Sequence, residues 1–247
     1  MAPTQQQAKE AKAKLLKGGK SPKARITRYL KKHEPQLEEG PKSTLLLKGI
    51  RCSQSMSTLL KDLRATLAPN VKLLGKNNTV IPFEDAGQQS IEFLATKNDC
   101  SLFAIASHNK KRPNNLTLGR MFDQKVLDVC EVGILRYKAL EDYPTAPKKR
   151  LGSKPMLLFV GDTWHLNADC RRLQNLLIDL YRGDPVKSIV LSGLDHVMVF
   201  TATISNSDSI SLGKSIVVFQ RTYFCKLKKD PNGGNIPLPY LTSWYVV

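Results

Sequence analysis

Apolar positions along the chain fall into short runs whose spacing switches between the two regular periods. TLLLKGI at 44–50 has the length and density of a buried strand, and Leu59, Leu60, Leu63 and Leu67 then recur at helical spacing within a segment from Gln54 to Leu67. VKLL at 71–74 reads as a short strand. The same order returns over residues 155–192. PMLLFVG at 155–161 is the strand, Asn167 or Asp169 caps a helix carrying Leu173, Leu176, Leu177 and Leu180, and VKSIVLSGL at 186–194 is the returning strand. LLKDL at 59–63 is echoed by LLIDL at 176–180. Each half then runs into a hairpin pattern, CSLFAIASH (100–108) with NLTLGRMF (115–122), and HVMVFTATI (196–204) with KSIVVFQRTYF (214–224). The pattern predicts two similar α/β halves.

Between them, residues 140–154 hold Pro144, Pro147 and the run Lys148, Lys149, Arg150, which suits a basic surface connection. Ahead of the first half, residues 1–35 carry ten Lys and Arg (Lys9, Lys12, Lys14, Lys17, Lys20, Lys23, Arg25, Arg28, Lys31, Lys32) against Glu10 and Glu34. This basic arm is expected to form two helical pieces. Gly18-Gly19 ends the first, Ser21 caps the second with Pro22 in its first turn, and Ile26, Tyr29 and Leu30 share a face up to Pro35.

Composition narrows the function. At 247 residues and 41% hydrophobic, the chain is large enough to close a core. With 38 Lys and Arg against 21 Asp and Glu, its net charge of +17 points to a polyanionic partner. No apolar run is long enough to span a bilayer, and the N-terminal MAPTQQQAKEAKAK lacks the apolar stretch of a secretory signal, so a cytosolic or nuclear location is expected. Cys52, Cys100, Cys130, Cys170 and Cys225 are widely spaced with no C-x-x-C pair, which argues for free thiols rather than disulfides or zinc. No cofactor is expected. LGKS at 212–215 imitates the end of a phosphate-binding loop, but Asp208 stands where that motif needs glycine. Cys100 with His108, Asp162 with His165, and Asp195 with His196 are the nearest approaches to catalytic pairs, and none sits in a recognised signature.

The densest candidate chemistry is SHNKKRPNNLTLGR at 107–120, where Lys110, Lys111, Arg112 and Arg120 occur without an acidic residue. Pro113, Asn114 and Asn115 form turns, so the cations belong on an exposed loop held by its flanking strands, as phosphate contacts require. A solvated hairpin tip is the plainer alternative. Ser53, Gln54 and Ser55 lie where a helix starts, and their hydroxyls and free N–H groups suit either a phosphate oxygen or simple capping. Aromatic residues are only 7% of the chain and form no ribonucleoprotein-type box, so backbone and shape recognition of structured RNA is favoured over base stacking.

KKHEPQLEEGPKSTLLLKGIRCSQ (31–54), SHNKKRPNNLTLGRMFD (107–123) and LLFVGDTW (157–164) together resemble the Brix family, in its ribosome production factor branch, over about Lys31 to Lys229. The resemblance implies a Brix domain over 36–247, built of two pseudo-symmetric α/β halves (about 36–139 and 155–247) akin to the anticodon-binding domain of certain aminoacyl-tRNA synthetases. It also implies a non-catalytic, nucleolar assembly factor for the large (60S) ribosomal subunit. Such a factor binds rRNA, pairs with the regulator of ribosome synthesis protein, and brings 5S rRNA with its two ribosomal proteins to the large-subunit pre-rRNA, supporting rRNA maturation. Family RNA contacts carry over to Lys110, Lys111 and Arg112 first, then to Lys48, Arg51, Ser53 and Gln54; Arg120 and Lys148, Lys149, Arg150 are further candidates by charge. The alternative is a protein scaffold whose partner makes the RNA contacts. LPYLTSWYVV at 238–247 departs from the family's longer ending, so the second sheet is expected to lack an edge.

Overall fold

A computed structural model describes residues 40–143, 149–183, 193–205, 215–229, 235–238 and 243–246, with Ile26, Pro147, Val186 and Ser188. The chain divides into two compact units, residues 1–40 and 41–247. The basic arm and its expected helices lie outside the described residues but for Ile26, and the fold below is that of the second unit.

Five strands build the first sheet: β1 (Thr44–Lys48), β2 (Val71–Asn77), β3 (Leu102–Ser107), β4 (Asn115–Phe122) and β5 (Lys125–Gly133), in the order β2-β1-β3-β4-β5. β1 is an interior strand parallel to both neighbours, whereas β3, β4 and β5 form an antiparallel meander. An interior strand covered on both faces must be apolar throughout, which is why TLLLK shows no alternation. Leu46 faces helix α1 (Gln54–Leu67), and Leu45 and Leu47 belong to the cluster with Ile91 and Ala95 of α2 (Asp85–Asn98). α1 matches its expected bounds and buries the expected face, Leu59, Leu60, Leu63 and Leu67 together with Met56. α2 was not expected: DAGQQSIEFLATKN offers only Ile91, Leu94 and Ala95 as an apolar stripe. Gly87 lets it dock, because a Cβ there would fall 1.8 Å from the carbonyl oxygen of Ile81.

The second sheet uses β6 (Met156–Val160), β7 (His196–Ser205), β8 (Ser215–Phe224) and β11 (Ser243–Val246) in the order β11-β8-β7-β6. β6 and β7 are parallel, β7 and β8 antiparallel, β8 and β11 antiparallel. This repeats β1, β3, β4 and β5 strand for strand, so the predicted duplication is present in the topology. Between β8 and β11, β9 (Lys226–Lys229) and β10 (Asn235–Leu238) make a separate two-stranded hairpin. The expected missing edge is therefore corrected: residues 243–246 of the ending LPYLTSWYVV themselves supply the fourth strand beside β8. The proposed returning strand at 186–194 lies largely outside the described residues.

Two helices follow β6, the short α3 (Thr163–Leu166) and α4 (Ala168–Arg182). Of the two cap candidates, Asn167 does the work, its side-chain oxygen accepting from the N–H groups of Asp169 and Cys170 at 2.8 and 3.0 Å. Trp164 of α3 is buried, and its indole N–H donates to the carbonyls of Val160 and Phe200, both at 3.2 Å. One apolar cluster unites the halves: Leu46, Leu60 and Leu63 are continuous with Trp164, Leu173, Leu177, Met198 and Phe200.

The halves differ on their outer faces. α2 covers the first sheet, whereas β6 leaves Met156, Leu158 and Val160 at 48, 41 and 48% exposure. Residues 183–195 separate α4 from β7, against residues 68–101 between α1 and β3. Among the described residues nothing helical lies over that face.

Candidate nucleic-acid interface

The carboxyl ends of the parallel strands β1 and β3 and the amino end of α1 lie together, the position where open α/β sheets commonly meet ligands. The backbone ties the two connections to each other. Gly49 N–H donates to Ala106 O and His108 N–H to Arg51 O, each at 2.8 Å. Residues 49–53 and 107–114 therefore form one surface.

On it, residues 109–112 close a tight turn: Asn109 Oδ1 accepts from the Arg112 N–H at 2.7 Å, and the Asn109 N–H donates to Arg112 O at 3.2 Å. Lys110 and Lys111 project from the turn and are exposed. Arg112 is exposed too, but its guanidinium is ion-paired with Glu131 of β5, which also accepts from Asn115. The stretch has no acid in sequence; the fold brings one from the neighbouring strand.

The turn is fastened to α1. Ser53 is the N-cap; its hydroxyl oxygen accepts from the Met56 N–H at 3.3 Å and its proton goes to Asn114 Oδ1 at 2.8 Å. Asn114, with φ of +46°, also sets its backbone N–H and side-chain oxygen each 3.1 Å from His108 Nδ1, and the ring tautomer decides which of the two it bonds. Asn114 O accepts from the Ile134 N–H at 2.8 Å, tying the same residue to the end of β5.

Gln54 and Arg51 are exposed and Lys48 is half-buried at this end. Burial pushes the Cys52 thiol up and the nearby Lys48 charge opposes it, so the ammonium acts at the entrance of α1. The first turn of α1 holds no acidic residue, leaving the positive end of the helix without its usual counter-charge. Lys76, exposed near the end of β2, adjoins Asn77, the residue paired with Lys48. It was missed because only VKLL, not VKLLGKN, reads as strand from the pattern.

A family model described as the Brix domain matches residues 49–237. The chain belongs to the Brix domain family. It is 47% identical over 178 residues to the Ribosome production factor 2 homolog of Mus musculus, covering 72% of this chain and 57% of that protein. It is 38% identical over 223 residues to the homolog of Schizosaccharomyces pombe, covering 90% of this chain and 68% of that protein. This Brix chain thus spans under two thirds of the mouse relative's length. Among solved structures, a probable ribosomal biogenesis protein from Aeropyrum pernix K1 aligns with TM-score 0.47 at 10% identity, over 79% of this chain and 92% of that one.

The other candidate cations of this Brix chain lie elsewhere. Arg120 sits at the far end of β4, opposite Leu102, about 17 Å from Asn115 at about 3.4 Å per residue. It is half-buried and bonds Asp128 at 3.1 Å and Asp179 of α4 at 3.3 Å, while Lys42 shares Asp179 at 2.9 Å. These pairs join the first sheet to α4. Lys149 is half-buried at the other end of α1, about 20 Å from its start, where its amine donates to Thr66 O. Arg150 grips Asp195, with Nε at 2.7 and 2.9 Å from the two oxygens, and that hydrogen bonding holds the carboxyl below its ordinary range. Lys148 lies outside the described residues.

Of the sequence pairs weighed for catalysis, Asp162 and His165 are exposed and joined through their backbones, the His165 N–H donating to Asp162 O at 2.9 Å. Cys100 is buried with its thiol against Asn98 O at 3.5 Å, and His108 is held by Asn114. Asp195 serves Arg150, and burial pushes neighbouring His196 down to about 4. All five cysteines are free. Among the described residues no cluster could hold a metal ion, and no helix is long and apolar enough to cross a membrane.

Proposed function

We propose that this chain is a non-catalytic assembly factor of the large ribosomal subunit, acting in the nucleolus, and that it holds rRNA phosphates on the surface formed by residues 48–54 and 109–112. The observation that carries this reading is the turn presenting Lys110 and Lys111 to solvent, fixed beside the acid-free start of α1. Fixed cations of this kind position a phosphate backbone without reading bases. The 5S rRNA and large-subunit pre-rRNA are the proposed ligands, and relatives named ribosome production factor support the pathway. Lys148, Lys149, Arg150 and Arg120 take a lesser part in this proposal. Three of the four already bond carboxylates or a backbone carbonyl, and Lys148 is outside the described residues.

A protein partner is proposed as well, the regulator of ribosome synthesis protein, with the 5S particle's two ribosomal proteins joining the assembly. What supports a partner is the outer face of β6, where Met156, Leu158 and Val160 stand exposed and no helix among the described residues lies over them. Affinity purification from the protein's own cells at mild salt, with the RNA sequenced and proteins identified by mass spectrometry, tests both statements. Recovery of 5S rRNA and large-subunit precursors supports the assignment. Small-subunit precursors in their place would overturn it. RNA binding by the purified chain alone, compared with the partner alone and with the complex, separates an RNA-binding factor from a scaffold.

A further inference from the structure

We propose that Ser53 and Asn114 are positioning residues that couple the start of α1 to the Lys110–Arg112 turn, so that Ser53 serves RNA binding through the turn and not as a phosphate ligand. This rests on the RNA-binding reading above and deepens it.

A serine hydroxyl has one proton to give. In Ser53 it is directed to Asn114 Oδ1 at 2.8 Å, across 61 residues of sequence, while the oxygen caps Met56 N–H at 3.3 Å. A plain N-cap needs only the second bond. The first makes a closed circuit: Ser53 to Asn114, Asn114 to His108, and His108 N–H back to Arg51 O, two residues before Ser53. The cationic turn at 109–112 sits inside that circuit, between His108 and Asn114. Asn114 adopts φ of +46°, a conformation asparagine tolerates better than most residues and one that local bonds must hold. With the circuit intact, Lys110 and Lys111 leave a turn already ordered before RNA arrives. Without it, binding must also bear the cost of ordering the turn.

The test is a double-mutant cycle read by fluorescence anisotropy with a labelled 5S rRNA transcript, beside amide hydrogen exchange on the free protein. Ser53→Ala is expected to weaken binding on the order of fivefold, the loss of one hydrogen bond's worth of order. It should add nothing when Lys110, Lys111 and Arg112 are already alanine, and Ser53→Thr should restore binding. In the free protein, Ser53→Ala and Asn114→Ala should each speed exchange at the Arg112 N–H. An equal loss in both backgrounds would mean that Ser53 touches RNA directly and would overturn the proposal. Unchanged exchange at Arg112 would overturn it without reference to RNA. If the triple substitution itself leaves binding untouched, the RNA surface is misassigned, and the proposal falls with it for that separate and visible reason.

Discussion

Replacing Lys110, Lys111 and Arg112 together by alanine is expected to flatten the dependence of RNA affinity on salt, by an amount that depends on what Arg112 does. Each phosphate neutralised contributes about 0.9 to the slope of log affinity against log salt on a duplex. If Arg112 remains on Glu131, only the two exposed lysines release counterions and the slope drops by about 1.8. If RNA draws Arg112 off, three contacts are lost and the drop is about 2.7. Between about 50 and 200 mM salt, those slopes correspond to roughly 12-fold and 40-fold changes in affinity. Glu131→Gln separates the cases. Removing the competing carboxylate frees Arg112 and should steepen the wild-type slope by about 0.9 where the pair otherwise persists. Anisotropy titrations at four or more salt concentrations give the slopes directly. A triple variant with the wild-type slope would remove this turn from the interface, whatever its effect on affinity at one salt concentration.

Leu158→Asp, on the exposed side of β6, should leave the fold and RNA binding intact but abolish recovery of the partner protein on affinity purification; undiminished recovery would move the partner elsewhere. His196 is 5% exposed, and burial brings its folded-state value to about 4 from an unfolded 6.5, so the folded protein carries it neutral. Stability is therefore full above pH 6.5 and declines as pH falls toward 4, by on the order of 3 kcal/mol, because the unfolded chain takes up the proton first. Urea titrations at a series of pH values should record that decline, and His196→Phe should lose this component of it. Gly87→Ala should destabilise by on the order of 1–3 kcal/mol, since its Cβ meets the backbone of Ile81, which cannot move aside as a side chain would. An unchanged urea midpoint would mean that α2 docks less tightly than its contacts imply.

Where the pattern along the chain was strong, it led to the right element. Leu59, Leu60, Leu63 and Leu67 define the inward face of α1 because a helix with one buried side must repeat at that spacing. α2 escaped because its docking relies on Gly87 and Ala95, small residues whose value is close approach and which carry no hydropathy signal. β5 escaped for a related reason: KVLDVCEVG mixes apolar and acidic positions, as Asp128 is recruited by Arg120 and Glu131 by Arg112. The same long-range pairings limited the reading of the cations. Lys110 and Lys111 look alike in sequence and in space. Arg112, Arg120 and Arg150 each find a carboxylate from another strand or loop, and no local window could have supplied those partners.

The duplication offers the two proposed partners different surfaces in the two halves. Both halves repeat the same strand order, yet the first spends residues 68–101 on β2 and α2, while the second crosses from α4 to β7 in residues 183–195. The longer crossover closes the first sheet's outer face and extends β2 so that Asn77 pairs with Lys48 at the cationic end. In the second half Met156, Leu158 and Val160 of β6 stand exposed. A surface of charges held by hydrogen bonds suits a hydrated polyanion, and an apolar sheet face suits a protein. On the proposed function, the two halves would thus carry different roles. Grafting an α2-like helix over β6 should therefore cost the partner and spare the RNA; loss of both together would mean that the halves do not work independently.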